Sequence, residues 1–191
     1  MRLPVDFLAV CQLSMHKLKK QVEKCSRCPL ADGRTNVVFG DGNENADVLI
    51  IGEAPGKNED EQGLPFVGRA GQYLNELLSL AGLKREDVYI ANVVKCRPPS
   101  NRDPRAEEIE QCSNYLREQT AKINPKIIVT LGNFATKFIL KTEQGITKLH
   151  GQPVQLGKFT VLPVYHPAAT MYDIKKKEAL ESDFAKIRTL I

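Results

Sequence analysis

The sequence predicts an α/β fold, organised as a single domain around a central, mainly parallel four-stranded sheet flanked by helices. Two observations lead to this prediction. Four short apolar runs have the length and composition of strands buried on both faces, and helical patterns fill the stretches between them. Strands that alternate with helices along a chain are typical of a parallel sheet. The predicted strands are 47–52, 88–94, 126–131 and 159–164.

The predicted helices follow from the spacing of apolar residues and from residues that begin or end helices. An amino-terminal arm, residues 1–24, carries Leu8, Leu13, Leu18 and Val22 among polar residues, as an amphipathic helix over 5–24 would. The other predicted helices are 71–81, which Gly82 ends, 103–122, which Asp-Pro begins, one that starts near 133, and 173–190.

Length and composition are those of one globular domain spanning residues 1–191. The chain of 191 residues is long enough to bury a core without a metal, and 42% hydrophobic with 26% charged residues excludes a disordered or fibrous protein. The net charge of +4 suits a polyanionic partner but is also common in proteins that bind none. The basic clusters of the chain, taken singly, are typical of solvated helix faces.

Two absences in the sequence favour a reducing compartment. The amino terminus lacks the charged start and unbroken apolar run of a signal peptide, and no stretch reaches the roughly 18 apolar residues of a membrane span. We therefore expect a cytoplasmic protein, in which disulfides are disfavoured.

Four cysteines form the most informative pattern of the chain. Cys25 and Cys28 are a close pair, whereas Cys96 and Cys112 are single and distant in sequence. Four thiolates can hold one zinc ion or an iron-sulfur cluster, and the spacing alone leaves these two alternatives open. The fifth cysteine, Cys11, is predicted to be a small buried apolar side chain.

Three polar side chains lie within or just after three predicted strands: Glu53, Asn92 and His166. Ligands of parallel sheets bind beyond the carboxyl ends of the strands, so a parallel sheet would bring these side chains together. Each residue alone has an ordinary structural explanation. Glu53 lies in a glycine-containing loop, 52–60, whose backbone a ligand could approach closely.

Together with the cysteines, these loops resemble the family 4 uracil-DNA glycosylases. The resemblance runs from about Cys25 to about Ala169, and its cysteine spacing and loops agree in order. The segments that carry it are 52–60 (GEAPGKNED), 63–68 (GLPFVG), 92–99 (NVVKCRPP) and His166-Pro167.

The resemblance implies a [4Fe-4S] cluster with a structural role, held by Cys25, Cys28, Cys96 and Cys112. It implies removal of uracil from DNA by hydrolysis of the glycosidic bond, which leaves an abasic site during base excision repair of deaminated cytosine. Asn92 would read the base edge, His166 would bind O2 of uracil, and Glu53 would position or activate water, with Glu59 and Asp60 as weaker alternatives. The implied uracil-binding residues are Gly52, Glu53, Ala54, Phe66, Asn92 and His166.

The implied partners are single- or double-stranded DNA that contains uracil, with a sliding clamp and downstream repair enzymes as further candidates. We expect a monomer that acts at the nucleoid of a prokaryotic cell. The residues expected to contact DNA are Arg97, Arg102, Met171 and Tyr172.

Three other interpretations are weaker. A non-catalytic iron-sulfur or zinc module that binds nucleic acid would not need Glu53 or Asn92. An electron-transfer protein would have its cysteines closer together. A relative that binds uracil-DNA covalently uses a histidine in an arginine-rich loop, and the corresponding residues 98–105 contain no histidine.

Overall fold

A computed structural model describes residues 14–191, and its centre is one six-stranded sheet. The order across the sheet is β1-β3-β2-β4-β6-β5. The four central strands are parallel, and the two edge strands are antiparallel to their neighbours. The strands are β1 (Asp41–Gly42), β2 (Val48–Gly52), β3 (Tyr89–Asn92), β4 (Ile127–Leu131), β5 (Val154–Leu156) and β6 (Phe159–Val164).

The central strands form because their residues are apolar on both faces. Every residue of β2, β3 and β4 is buried. Side chains alternate between two cores: Val48 and Ile50 pack into one, whereas Leu49 and Ile51 pack into the other. A two-sided core requires helices on both faces of the sheet, as the sequence predicts.

The prediction of four strands was wrong in number, because it omitted both edge strands. β1 has only two residues, Asp41 and Gly42, and β5 has three residues that are exposed or half-buried. Neither segment has the continuous apolar run that marks the central strands. Short edge strands of this kind leave little trace in a sequence.

Helices cover both faces of the sheet. On one face the core includes residues of α1, α2, α5 and α6, and on the other it includes residues of α4, α9 and α10. The helices are α1 (Met15–Glu23), α2 (Leu30–Gly33), α3 (Lys57–Gln62), α4 (Arg69–Leu80), α5 (Ala106–Ile123), α6 (Gly132–Leu140), α7 (Ile146–Leu149), α8 (Pro167–Thr170), α9 (Ile174–Ala185) and α10 (Ile187–Leu190).

The long predicted helices are present with small changes at their ends. The helix predicted over 173–190 is divided at Lys186 into α9 and α10. The first part of the predicted arm and Cys11 lie outside the described residues. Within residues 14–191, no helix has the length and apolar character needed to cross a membrane.

A buried carboxylate fastens the loop before β1 to α3. Asp60 is 4% exposed, and its side chain accepts hydrogen bonds from the backbone N–H groups of Thr35 at 3.0 Å and Asn36 at 3.4 Å. The Asn36 side chain returns a hydrogen bond to the Asp60 carbonyl at 2.9 Å. Asp60 therefore has a structural role, which argues against it as the group that activates water.

We predict that Asp60→Ala lowers the free energy of unfolding by about 1–3 kcal/mol, because it removes the buried acceptor of the Thr35 and Asn36 N–H groups. Urea denaturation followed by circular dichroism measures this change. Asp32→Ala, at an exposed aspartate of α2, is the matched control and should change stability little. Equal urea midpoints for both variants would contradict the structural role.

Candidate functional site

The parallel pairing of β2 with β3 brings two of the predicted site residues to one edge of the sheet. Gly52 is paired with Asn92 across the two strands. The pairing continues into the loops, because Val93 N–H donates to the Gly52 carbonyl at 2.9 Å and Val94 N–H donates to the Glu53 carbonyl at 3.2 Å. Glu53 therefore follows directly from a strand end that lies beside Asn92.

Gly52, Phe66 and Asn92 meet at this edge. A Cβ atom added to Gly52 would lie 2.7 Å from Phe66 Cζ and would collide with Asn92 Oδ1. The Asn92 side chain is 1% exposed, and its Oδ1 has no hydrogen-bond partner among the described residues. A buried amide oxygen without a donor is rare in folded proteins. It is the feature expected of a group that receives a hydrogen bond from a ligand.

Phe66 is held in a conformation that non-glycine residues seldom adopt. Its φ angle is 52°, in the left-handed region. The Arg85 guanidinium donates to the Phe66 carbonyl at 3.1 Å and also to the Pro65 carbonyl. A Cβ atom on Gly71 would collide with the Phe66 carbonyl, so the third residue of α4 must be a glycine. These contacts fix the direction of the aromatic ring.

Glu59 fastens the chain that follows Phe66. Its Oε1 accepts hydrogen bonds from the backbone N–H groups of Val67 at 3.0 Å and Gly68 at 3.1 Å. One carboxylate thus holds the entry to α4. Glu59 shapes the loop around Phe66, and this role makes it a poor candidate for water activation.

His166 faces the same aromatic ring. The ring centroids of Phe66 and His166 are 5.9 Å apart, and His166 Nδ1 accepts a hydrogen bond from Ala168 N–H at 3.2 Å. Close packing with Gly132, at the end of β4, leaves no room there for a Cβ atom. Burial lowers the pKa of His166 to about 4, although the nearby Glu59 carboxylate opposes this change. The ring is therefore neutral at physiological pH, with its proton on Nε2.

Glu53 is a half-buried carboxyl group with a raised pKa. Burial, followed by the charge of the neighbouring Asp103 and a hydrogen bond to it, raises the pKa of Glu53 to about 7. Ionisation of Glu53 next to a second carboxylate is unfavourable, which adds to the effect of burial. A carboxyl group with this pKa can act as a base at physiological pH.

The four predicted cysteines also meet in the structure. Their thiols are free and line a single hollow between α1, α5 and the Cys96 loop, together with the cationic side chains of Arg27, Arg34 and Lys95. Burial raises the pKa of Cys28, Cys96 and Cys112, so binding of a metal group would displace their protons. Cationic surroundings match the negative charge of a group ligated by four thiolates.

The chemistry of the four thiols fits a thiolate-ligated metal group. Within residues 14–191, no three Cys, His, Asp or Glu side chains are already arranged around a single metal ion. The sequence left zinc and an iron-sulfur cluster open, and four thiols that line one hollow can serve as ligands of either group.

Comparison with known proteins identifies the family. A family model described as the uracil DNA glycosylase superfamily matches residues 39–187. The chain belongs to this superfamily. It is 46% identical over 186 residues to a type-4 uracil-DNA glycosylase of Sulfurisphaera tokodaii, covering 93% of this chain and 84% of that protein. It is 45% identical over 185 residues to a type-4 enzyme of Archaeoglobus fulgidus, covering 93% of each chain. These identities place it in the type-4 family.

A solved structure supports the fold of the type-4 chain. The solution structure of a candidate uracil DNA glycosylase from Methanosarcina acetivorans matches with a TM-score of 0.50 and 13% identity. The match covers 79% of this chain and 94% of the other.

The predicted DNA-contact residues of the type-4 chain differ in their freedom to reach a ligand. Both oxygens of the buried Glu108 carboxylate accept hydrogen bonds from Arg102, at 2.9 and 2.6 Å, so its guanidinium serves the fold. Arg97 donates to Asn101 at 2.8 Å on the surface. Met171 is half-buried, whereas Tyr172 is 87% exposed.

Sequence reasoning missed several residues that shape the type-4 site. Arg85 and Asp103 act through contacts with residues distant in sequence, and no local pattern reveals them. Ile174 is 76% exposed beside Tyr172. The position of Ile174 next to the three lysines 175–177 could have predicted that it is exposed.

We predict that Gly52→Ala lowers the free energy of unfolding by about 1–3 kcal/mol, because the new methyl group must displace Phe66 or Asn92. Chemical denaturation measures the change. Gly33→Ala is the matched control, since nothing lies within 4 Å of a Cβ atom there. A Gly52→Ala protein as stable as the control would show that the three residues are less tightly packed than described.

Proposed function

We propose that this protein is a uracil-DNA glycosylase that flips uracil out of DNA and hydrolyses its N-glycosidic bond, leaving an abasic site. The observation that carries the proposal is the buried, unpaired Oδ1 of Asn92 beside the Phe66 ring. The type-4 relatives bear the name of this activity. The biological role is base excision repair of deaminated cytosine.

Asn92 and Phe66 recognise the flipped base. The ring of Phe66 stacks on uracil, while Asn92 Oδ1 accepts from N3–H and the amide nitrogen donates to O4. Cytosine presents its donor and acceptor in reversed places, so it would leave the buried oxygen unpaired. Gly52 and Ala54 complete the pocket wall through their backbone.

His166 stabilises the departing base. The Nε2–H of its neutral ring donates to O2 of uracil, where negative charge grows as the glycosidic bond breaks. The hydrogen bond from Ala168 to Nδ1 fixes the tautomer that this role requires. The low pKa of the ring keeps the donor unchanged over the pH range in which the enzyme works.

Glu53 positions or activates the attacking water. Its raised pKa makes the ionised form a stronger base than an exposed glutamate, and its position after β2 lies next to Gly52 and Asn92. Glu59 and Asp60 are occupied by backbone N–H groups. Glu53 is therefore the carboxylate best placed for this step.

The surface beside His166 engages the distorted DNA. Flipping a nucleotide costs a few kcal/mol and leaves a gap in the base stack, which an inserted side chain can fill. Tyr172 and Ile174 are exposed apolar residues that follow His166 closely in sequence, and Met171 is half-buried. Arg97 contacts backbone phosphate, whereas Arg102 supports the loop through Glu108.

The cysteines hold a [4Fe-4S] cluster through Cys25, Cys28, Cys96 and Cys112. When bound, the cluster supplies a structural cross-link, because glycosidic hydrolysis transfers no electrons. The ligands tie the segment after α1, the loop after β3 and helix α5 to one another. The reducing cytoplasm, at the nucleoid, is where such a cluster and the DNA substrate are found together.

The first test is cleavage of oligonucleotides that contain one uracil, thymine or cytosine. We expect the cluster-loaded protein to form abasic sites at uracil only, and Asn92→Ala to lower kcat/KM by at least about 100-fold, the order typical of a lost transition-state contact. Asn114→Ala, at an exposed asparagine of α5 outside the pocket, is the control. Intact DNA binding without cleavage by the wild type would favour the non-catalytic binding module instead.

A second test uses the pH dependence of the reaction. A base must be ionised, and the pKa of Glu53 is raised to about 7, so single-turnover rates should rise as pH increases through that value and then level off. Asp103→Asn removes a charge that raises this pKa, so it should move the rise to lower pH. Glu53→Gln should abolish the rise and slow the reaction about 100-fold or more. An unchanged profile in Glu53→Gln would exclude Glu53 as the base.

A further inference from the structure

Lys95 is a buried cation between the thiol hollow and the base-reading residue. Its side chain is 1% exposed and is among the largest fully buried side chains of the described residues. Its Nζ donates a hydrogen bond of 2.9 Å to the main-chain carbonyl of Asn92. On its other side, Lys95 lines the hollow formed by the four cysteines.

Lys95 is buried without a carboxylate partner among the described residues. Within residues 14–191, no aspartate or glutamate forms an ion pair with its ammonium group, and the side chain lines the thiol hollow together with Cys96 and Cys112. Its backbone N–H also donates to Cys112 Sγ at 3.3 Å. Burial of an ammonium group is costly unless a counter-charge accompanies it. The negative charge of a group ligated by four thiolates provides that counter-charge.

We propose that Lys95 is a positioning residue that couples occupancy of the thiol site to the geometry of Asn92 and thereby to uracil affinity. This inference rests on the proposed function. With the cluster present, the ammonium group is compensated and its hydrogen bond fixes the turn 92–95. Without the cluster, the ammonium group has no counter-charge, so its free energy falls when it moves toward water. This movement breaks its hydrogen bond to the Asn92 carbonyl and releases Asn92 from its position.

Arg34 provides a matched comparison. Its guanidinium donates to Cys96 Sγ at 3.4 Å and to the Glu23 carbonyl at 3.2 Å, so it is also a cation of the thiol site. Unlike Lys95, it is partly exposed and has no contact with Asn92. Loss of Arg34 should therefore weaken retention of the cluster and leave uracil affinity close to that of the wild type.

The test is a coupling cycle on the full chain. Free uracil affinity is measured by calorimetry for the wild type, Lys95→Met and Arg34→Met, each with its cluster and after removal of iron by a chelator. Iron content and circular dichroism accompany each sample. We expect iron removal to weaken uracil binding about tenfold in the wild type and in Arg34→Met, a coupling of ordinary size. In Lys95→Met, binding should be weak already and should not depend on iron.

Equal responses to iron removal in Lys95→Met and the wild type would overturn the proposal. If the iron-free proteins unfold, the cluster-loaded forms alone test the proposal. Loaded Lys95→Met should then bind uracil about tenfold more weakly than loaded Arg34→Met, within the range of such couplings. Equal affinities of the two loaded variants would overturn the coupling. A wild type that neither binds uracil nor cleaves uracil-containing DNA would overturn the proposed function, and this inference with it. If the wild type cleaves uracil-containing DNA but Lys95→Met and Arg34→Met bind uracil with equal affinity, only this inference is overturned.

Discussion

The parallel register of β2 with β3 is the constraint on which the site depends. Pairing of Gly52 with Asn92 puts a residue without a side chain next to an amide, and this leaves room for the Phe66 ring. Because successive side chains alternate between faces, a shift of one residue would turn Asn92 away from this edge and bury an apolar neighbour in its place. The hydrophobic pattern of the two strands, which fills two cores at once, makes such a shift very unfavourable. Packing of the core therefore determines the position of the base-reading group.

Phe66 shows how the surrounding structure maintains a strained conformation. A left-handed aromatic residue costs free energy and persists only where several contacts determine it. Arg85 holds its carbonyl, Glu59 holds the next two N–H groups, and Gly71 gives the carbonyl space. These contacts come from different parts of the chain, so the ring direction is a tertiary property. The same three supports leave the ring facing His166.

The sequence predicted the four central strands, the long helices and the position of Glu53, Asn92 and His166 at strand ends, because each depends on apolar periodicity and on the geometry of parallel sheets. It also predicted that the four cysteines converge. It could not predict β1 or β5, whose few polar or exposed residues form strands only because a neighbouring strand offers hydrogen bonds. Nor could it predict that Arg102 would form an ion pair with Glu108, or that Asp103 would raise the pKa of Glu53. Such pairings depend on the path of loops, which local patterns do not determine.

The turn 92–95 contains two buried polar groups that the described protein atoms do not fully satisfy. Asn92 Oδ1 lacks a donor, and Lys95 Nζ lacks a carboxylate counter-ion. Burial of either group costs free energy, so each favours a state in which a partner is bound. Under the proposed function, the partner of Asn92 is the base, and the partner of Lys95 is the negatively charged group that the thiols would hold. One hydrogen bond joins the Lys95 ammonium group to the Asn92 carbonyl. A counter-charge that stabilises Lys95 therefore also stabilises the position in which the Asn92 amide would meet the base. A structural cluster can therefore contribute to uracil recognition without touching the substrate.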